Sequence, residues 1–137
     1  MRLLNVLPYD KWFYESHLKD FLPETFIDCH THIWLNEQMR SDVGDSGRSC
    51  SWPSMVAAEN PVEDLNETNR LLFPNSRVIS VLYGYTSASM DLSKSNAYVA
   101  QCANGNNFPA LYISHPGQSA EEVEQAVLAN PLSLIHI

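Results

Sequence analysis

The stretch TFIDCHTHIWL, from Thr25 to Leu35, is an apolar run with polar residues at alternate positions. Its length and its β-branched and aromatic residues are typical of a buried strand. Side chains of a strand alternate between two faces, so Asp28, His30 and His32 are predicted to share one face, and the residues between them the other. A buried strand that carries two imidazoles and a carboxylate on one face needs a chemical reason for them.

The charge of the chain restricts its partners. The formal net charge is -8, which argues against nucleic acid and anionic membranes, because both reward basic surfaces. The acidic charge does not exclude a small-molecule substrate, even an anionic one, because such a substrate needs only a local positive site such as a metal.

No apolar run approaches the roughly 18 residues of a membrane-spanning helix. The N-terminal MRLLNVLPYDKW is interrupted by Asn5 and Pro8 and is too short for a secretory signal, so we expect a cytoplasmic protein. Nothing in the sequence indicates an oligomeric state.

The three cysteines are far apart, and none belongs to a CxxC pair: Cys29, Cys50 and Cys102. An odd number of scattered cysteines fits a reducing compartment, and it argues against a disulfide framework or a structural zinc finger.

Apolar strands and capped amphipathic helices alternate along the chain. The spacing of helix-capping boxes occurs twice, in Asn60 with Glu63 and in Ser119 with Glu122. Gly105 is a predicted helix stop. The segment 35–58 is predicted to be a long loop, either functional or a flexible insertion. The predicted elements are a helix over 8–22, a strand over 25–34, a helix over 60–73, a strand over 77–84, a helix over 91–105, a strand over 108–115 and a helix over 119–130.

This order predicts an α/β fold built from βαβ units with a parallel sheet. The two histidines then lie at the carboxyl end of the first strand, the edge at which parallel α/β proteins form their sites. Two imidazoles about 6–7 Å apart at their backbones can converge on one divalent ion. Asp28 could support the site by accepting the second N–H of a histidine. The alternative is a chance HxH whose histidines are structural.

The sequence IDCHTHIW resembles the D-x-H-x-H signature on the first strand of amidohydrolase-superfamily barrels, and most of all the amidohydrolase-2, or amidohydrolase-related, branch. Trp34, which follows this motif, is a further point of resemblance to the lactone-hydrolysing members of that branch. The resemblance implies a (β/α)₈ TIM barrel, for which about 250 residues are typical. Residues 1–131 would then supply an N-terminal helix and the first three βα units.

The resemblance also implies a site and an activity. His30 and His32 would be metal ligands, with Asp28 preceding them in the motif. The remaining ligands and the catalytic aspartate would come from later strands, so no catalytic residue is assigned and this chain alone is not expected to be active. The implied cofactor is a divalent metal, zinc or else manganese. The implied reaction is hydrolysis of a small amide, ester or lactone, and the same branch includes metal-dependent decarboxylases.

Three further interpretations stay open at this point. Trp34 and His115 are candidate substrate-pocket residues; the alternative for Trp34 is packing at the barrel top, and for His115 a hydrogen bond to a loop. A phosphoesterase or nuclease can also open with HxH, although the acidic balance and the absence of a following serine-aspartate-glycine element disfavour it. A short non-catalytic α/β module is the remaining alternative.

The last six residues, LSLIHI over 132–137, equal the translation of CTG TCT CTT ATA CAC ATC, the transposase end sequence used to prepare sequencing libraries. We therefore expect this segment to be a read-through scar that lies outside the natural fold. The alternative is an apolar terminal strand.

Overall fold

The computed structural model of the protein describes residues 4–41 and 55–130, and the backbone of 134–136. Part of the predicted 35–58 loop therefore lies outside the described residues. The elements are helix α1 (Pro8–Phe13), a π-helix (Tyr14–Leu18), strand β1 (Thr25–His32), a 3-10 helix (Asn36–Gln38), helix α2 (Val62–Leu72), strand β2 (Arg77–Tyr83), helix α3 (Leu92–Asn106), strand β3 (Leu111–Ile113), helix α4 (Ala120–Ala129) and strand β4 (Leu134–His136).

The described strands pair in parallel. β1 pairs with β2 from Thr25 opposite Arg77 to His32 opposite Tyr83. A single parallel bridge between Leu82 and Ala110 brings the start of the third strand beside β2. The predicted α/β class with parallel pairing is confirmed, and the partial barrel stays a prediction.

The helices pack on one face of β1 and β2. Leu82 and Ile33 are fully buried there against Val62 and Leu65 from α2 and Val99 from α3. A fully buried aliphatic side chain of this kind contributes about 1.5–3 kcal/mol to folding. This main apolar cluster holds the strand ends in place. It therefore fixes the backbone to which the side chains of His30 and His32 are attached.

On the opposite face of the two strands, the part near the start of β1 is exposed among the described residues, whereas Tyr83 at the carboxyl end is buried. Ile27 lies opposite Ile79 in the register, and the side chain of Ile27 is 63% exposed. Paired residues of a parallel sheet share a face, so these isoleucines point away from the helix layer. An apolar sheet face of this kind is normally covered by further structure.

A second, smaller apolar cluster lies beyond the carboxyl ends of the strands. Trp34, Tyr85 and Met90 form its buried centre, and the indole N–H of Trp34 donates to the carbonyl oxygen of Ala58 at 3.1 Å. The backbone of Trp34 also forms an antiparallel bridge with Asn60. This cluster joins the segment after β1 to the segment after β2.

Several predicted boundaries were wrong. The N-terminal helix changes to a π-helix at Tyr14. Pro61, rather than Asn60, is the N-cap of α2, because the side-chain amide of Asn60 donates to the carbonyl oxygen of His32. Gly105 lies inside α3, and the C-cap of that helix is Asn107, which is in the left-handed conformation. The Ser119–Glu122 capping box at α4 is confirmed.

The C-terminal residues also carry a strand. The backbone of β4 pairs in parallel with β3. This is the arrangement expected of an apolar terminal strand, and it is equally the arrangement expected of any extended apolar segment beside an open sheet edge. The assignment of 132–137 as a read-through scar therefore stays a prediction. Separately, none of the helices in the described residues has the length and apolar character needed to cross a bilayer.

Candidate functional site

A β-bulge in β1 shapes the region around the histidines. Between the pairs Asp28–Ser80 and Thr31–Leu82, β1 uses one residue more than β2. An extra residue shifts the alternation of the strand. Asp28 is therefore in register with Ser80 and His32 with Tyr83, two residues on opposite faces of β2. The prediction that Asp28, His30 and His32 alternate regularly onto one face is wrong at this point, and Cys29 between them is exposed.

The Asp28 carboxylate binds the backbone of the bulge. Its Oδ1 atom accepts a hydrogen bond from the backbone N–H of His30 at 3.1 Å. A short side chain that accepts from the amide two residues on is the usual way in which aspartate stabilises a local turn. Asp28 thus contributes to the position of His30 through the main chain.

The rings of His30 and His32 come together above Tyr83. Their centroids are 5.2 Å apart. The Tyr83 ring contacts both, with its centroid 5.2 Å from that of His30 and 4.3 Å from that of His32. Tyr83 is 1% exposed, and burial, together with the negative charges of Asp28 and Cys29, raises the pKa of its hydroxyl to about 12. A neutral aromatic ring therefore supports the two imidazoles.

The His32 ring is also oriented by the backbone of the neighbouring strand. Its Nδ1 atom lies 2.7 Å from the carbonyl oxygen of Gly84. A carbonyl oxygen can accept but cannot donate, so Nδ1 carries the proton. In the neutral ring, the lone pair then lies on Nε2, the nitrogen that would coordinate a metal. The acceptor that the sequence suggested for a histidine N–H was Asp28; the structure assigns that role to Gly84.

Gly84 has no room for a side chain. A Cβ atom built on Gly84 would overlap the hydroxyl oxygen of Ser95 and would lie 3.6 Å from the Ile113 Cδ1 atom. Ser95 belongs to α3 and is 1% exposed. The close approach of α3 therefore requires glycine here, and it fixes the carbonyl group that orients His32.

The donor set fits part of a metal site. Two neighbouring imidazoles, one with its outer N–H bound to a carbonyl oxygen, match the chemistry of zinc ligands. A catalytic zinc site takes three protein ligands. Within 4–41 and 55–130, no group of three histidine, cysteine, aspartate or glutamate side chains could hold a metal. His30 and His32 are thus a candidate ligand pair and not a complete centre.

The two candidate pocket residues lie in different surroundings. Trp34 is buried in the second apolar cluster, as in the packing alternative. His115 is exposed after β3, where it borders a cleft together with Arg40 and Ser87. The structure therefore does not place Trp34 and His115 in one pocket with the histidine pair.

Gly84 is the site residue that the sequence did not single out. The signal was present: a glycine directly follows an apolar strand, at the edge where His30 and His32 were expected. A single glycine at a strand end has several ordinary explanations, and the acceptor role of its carbonyl depends on the register between β1 and β2.

Comparison of the chain with protein-family models, with curated proteins and with solved structures found no match.

Proposed function

We propose that this chain supplies the first two metal ligands, His30 and His32, of a metal-dependent hydrolase that acts on a small amide, ester or lactone. The observation that carries this proposal is the contact between the two imidazole rings together with the hydrogen bond that orients one of them. The ring centroids are 5.2 Å apart, and His32 Nδ1–H donates to Gly84. The resemblance of IDCHTHIW to the amidohydrolase-related family adds the reaction class.

Each residue of the proposed site has its own role. His30 and His32 bind the metal through ring nitrogens, and the Gly84 carbonyl keeps His32 in the required tautomer. Tyr83 supports both rings from below, and Asp28 holds the backbone of the bulge that carries His30. A divalent metal, zinc or else manganese, would supply a bound water of lowered pKa and a Lewis acid for the substrate carbonyl.

We further propose that the remaining ligands and the catalytic aspartate come from strands of a longer, cytoplasmic protein that completes a (β/α)₈ barrel. Two observations support a longer protein. Ile27 is 63% exposed on the face opposite the helices, and the described residues contain no group of three side chains that could hold a metal, the number of protein ligands that a catalytic zinc needs. A barrel interior would cover that face with side chains from further strands.

The ligand pair can be tested on the chain itself by titration with Co²⁺, followed by visible absorption, and by competition with Zn²⁺. We expect one metal ion per chain. His30→Ala and His32→Ala should each weaken binding by roughly tenfold or more, since each removes half of the ligand set. His17→Ala is the matched control, because His17 packs on Trp12 and Phe13 and lies in the π-helix. Equal loss in the control, or undiminished binding in the His30→Ala, His32→Ala double variant, would refute the assignment.

The reaction needs the protein that carries the later strands. The source DNA should be amplified across the Pro131 codon, sequenced without a transposase-made library, and the whole reading frame expressed. We expect stoichiometric metal and hydrolysis of an ester, lactone or amide, both lost in the His30→Ala, His32→Ala variant. Release of CO₂ from a carboxylate substrate without hydrolysis would indicate a decarboxylase instead. A frame that stops at Ile137 would contradict the barrel.

A further inference from the structure

A cleft of about 540 Å³ lies at the carboxyl edge of the strands, apart from the histidine pair. Arg40 comes from the segment after β1, Ser87 from the segment after β2 and His115 from the segment after β3. Met90 and Leu92 add an apolar part of the wall. A volume between about 300 and 1,000 Å³ is usual for small-molecule sites, which combine apolar walls with a few polar groups.

The imidazole of His115 presents a hydrogen-bond donor. The backbone N–H of Gly117 donates to His115 Nδ1 at 3.0 Å. Because a backbone amide can only donate, Nδ1 must be the unprotonated nitrogen, and the proton of the ring is on Nε2. This tautomer is the opposite of that of His32. With its proton on Nδ1, His32 has a lone pair on Nε2, whereas His115, with its proton on Nε2, has an N–H group at that position.

The backbone of Arg40 is fixed beside Ser87 by pairing between two loops. Met39 and Met90 form an antiparallel bridge, and the N–H of Arg40 donates to the carbonyl oxygen of Ser89 at 2.6 Å. The hydroxyl groups of Ser87 and Ser89 are 2.9 Å apart. Arg40 has an interaction of its own within the chain, and the five N–H donors of a guanidinium allow it to serve a second acceptor.

Among the described residues that line the cleft, Asp91 carries a carboxylate, and this carboxylate is bound at the start of α3. Asp91 Oδ1 accepts from the backbone N–H of Lys94 at 3.1 Å, and Oδ2 lies 3.6 Å from the Lys94 ammonium nitrogen. Its negative charge is therefore balanced locally. The cleft combines a guanidinium, an imidazole N–H and a hydroxyl with an apolar wall.

We propose that this cleft binds the carboxylate group of a small organic acid, with Arg40 and His115 donating to the carboxylate oxygens and Met90 and Leu92 contacting the apolar body. Arginine pairs with carboxylates through two parallel N–H donors, and charge-assisted bonds of this type are about twice as strong as neutral ones. The site needs neither the metal nor the proposed hydrolase activity, because its residues are distinct from His30 and His32.

The proposal can be tested with benzoate as the probe, by titration of the ¹⁵N-labelled chain followed by amide shifts. We expect saturable binding with a dissociation constant on the order of millimolar, as suits a small ligand, and shifts centred on Arg40, Ser87 and His115. Arg40→Gln should weaken binding roughly tenfold, and Arg40→Lys, which keeps the charge but loses the paired donors, should weaken it less. His115→Phe should also weaken it, whereas His115→Gln, which retains an N–H donor, should bind more tightly than His115→Phe.

Three comparisons decide the outcome. Benzamide, which has the same shape and no charge, should bind at least roughly tenfold more weakly than benzoate. Arg77→Gln removes the same charge at the first residue of β2, the opposite end of the strand, and should leave binding unchanged. The His30→Ala, His32→Ala variant should also bind benzoate normally, which separates this proposal from the metal site. Equal binding of benzamide, no saturation, or equal loss in Arg77→Gln and Arg40→Gln would overturn it.

Discussion

The Nδ1 atom of His32 lies 2.7 Å from the carbonyl oxygen of Gly84, the residue that directly follows the neighbouring strand. The ring of a residue on one strand is therefore oriented by the main chain of the next. His115, after the third strand, has the reverse arrangement, because its Nδ1 accepts from the N–H of Gly117. One α/β framework thus sets two histidines in opposite tautomers.

The first prediction concerns these tautomers. In two-bond ¹H–¹⁵N correlation spectra of the neutral chain, His32 should show its proton on Nδ1 and His115 its proton on Nε2, because the hydrogen-bond partner of each Nδ1 is different in kind. His17 serves as a comparison in the same spectrum, since it is exposed. Identical tautomers for His32 and His115 would contradict the two hydrogen bonds.

The second prediction concerns Gly84. Gly84→Ala should lower the free energy of unfolding by about 1–3 kcal/mol, because the new methyl group overlaps the Ser95 hydroxyl and the packed α3 must shift. The displaced carbonyl should also weaken Co²⁺ binding by about 10–100-fold, the usual effect of losing an outer hydrogen-bond partner. Chemical denaturation and the metal titration measure the two effects.

The matched control is Gly105→Ala. A Cβ atom at Gly105 would meet nothing within 4 Å, and Gly105 lies inside α3. Replacement of glycine by alanine in a helix interior stabilises by about 0.5–1 kcal/mol. Opposite signs for the two glycine substitutions are expected. The same sign for both would show that the close approach of Ser95 to Gly84 does not limit the fold.

The third prediction is a pH dependence. Burial raises the pKa of Tyr83 to about 12 from an ordinary 10.0. Between these values the unfolded chain has lost the proton and the folded chain has kept it, so the unfolded state binds fewer protons and stability falls as pH rises. Tyr83 should therefore contribute a loss of about 1.4 kcal/mol for each pH unit in this window. Below pH 10 it should contribute no slope.

Tyr83→Phe isolates this effect. The difference between the ultraviolet titration curves of wild type and Tyr83→Phe should show one phenol that ionises near pH 12 in the folded chain. The slope of unfolding free energy against pH above pH 10 should be smaller in the variant. A difference curve with its midpoint near 10 would show that Tyr83 is not buried beneath the two histidines.

The fourth prediction concerns the contact between α3 and β3. The Asn96 side-chain amide donates to the carbonyl oxygen of Ile113 at 2.9 Å and its Oδ1 accepts from the N–H of Ile113 at 3.0 Å. Asn96 is 4% exposed. Asn96→Ala leaves both main-chain groups without these bonds, and we expect a loss of about 1–3 kcal/mol for each buried group left unsatisfied.

Denaturation of Asn96→Ala beside Asn66→Ala gives the comparison. Asn66 donates to Asn106 at 2.9 Å in a partly buried pair of side chains, and its loss leaves no strand backbone unpaired. We expect the Asn66 variant to be affected less, by about 0.5–1.5 kcal/mol. Equal effects at both positions would indicate that Asn96 does not secure β3.

The sequence by itself determined the order of strands and helices, the parallel α/β class, and the presence of His30 and His32 at the end of the first strand. These features depend on local patterns: apolar runs, cap residues such as Ser119, and prolines that end helices. The sequence also determined the acidic charge of the chain. Each of these can be obtained from neighbouring residues without knowing which distant segments meet.

The tertiary structure alone decided how the histidines are held. The bulge between Asp28 and Thr31 results from the register between β1 and β2, and register depends on packing of both strands against α2 and α3. The acceptor for His32 is a backbone carbonyl 52 positions further along the chain. The cleft with Arg40 and His115 joins three loops. Alternation along one strand cannot predict such contacts, because they arise from pairing and packing between segments that are far apart in sequence.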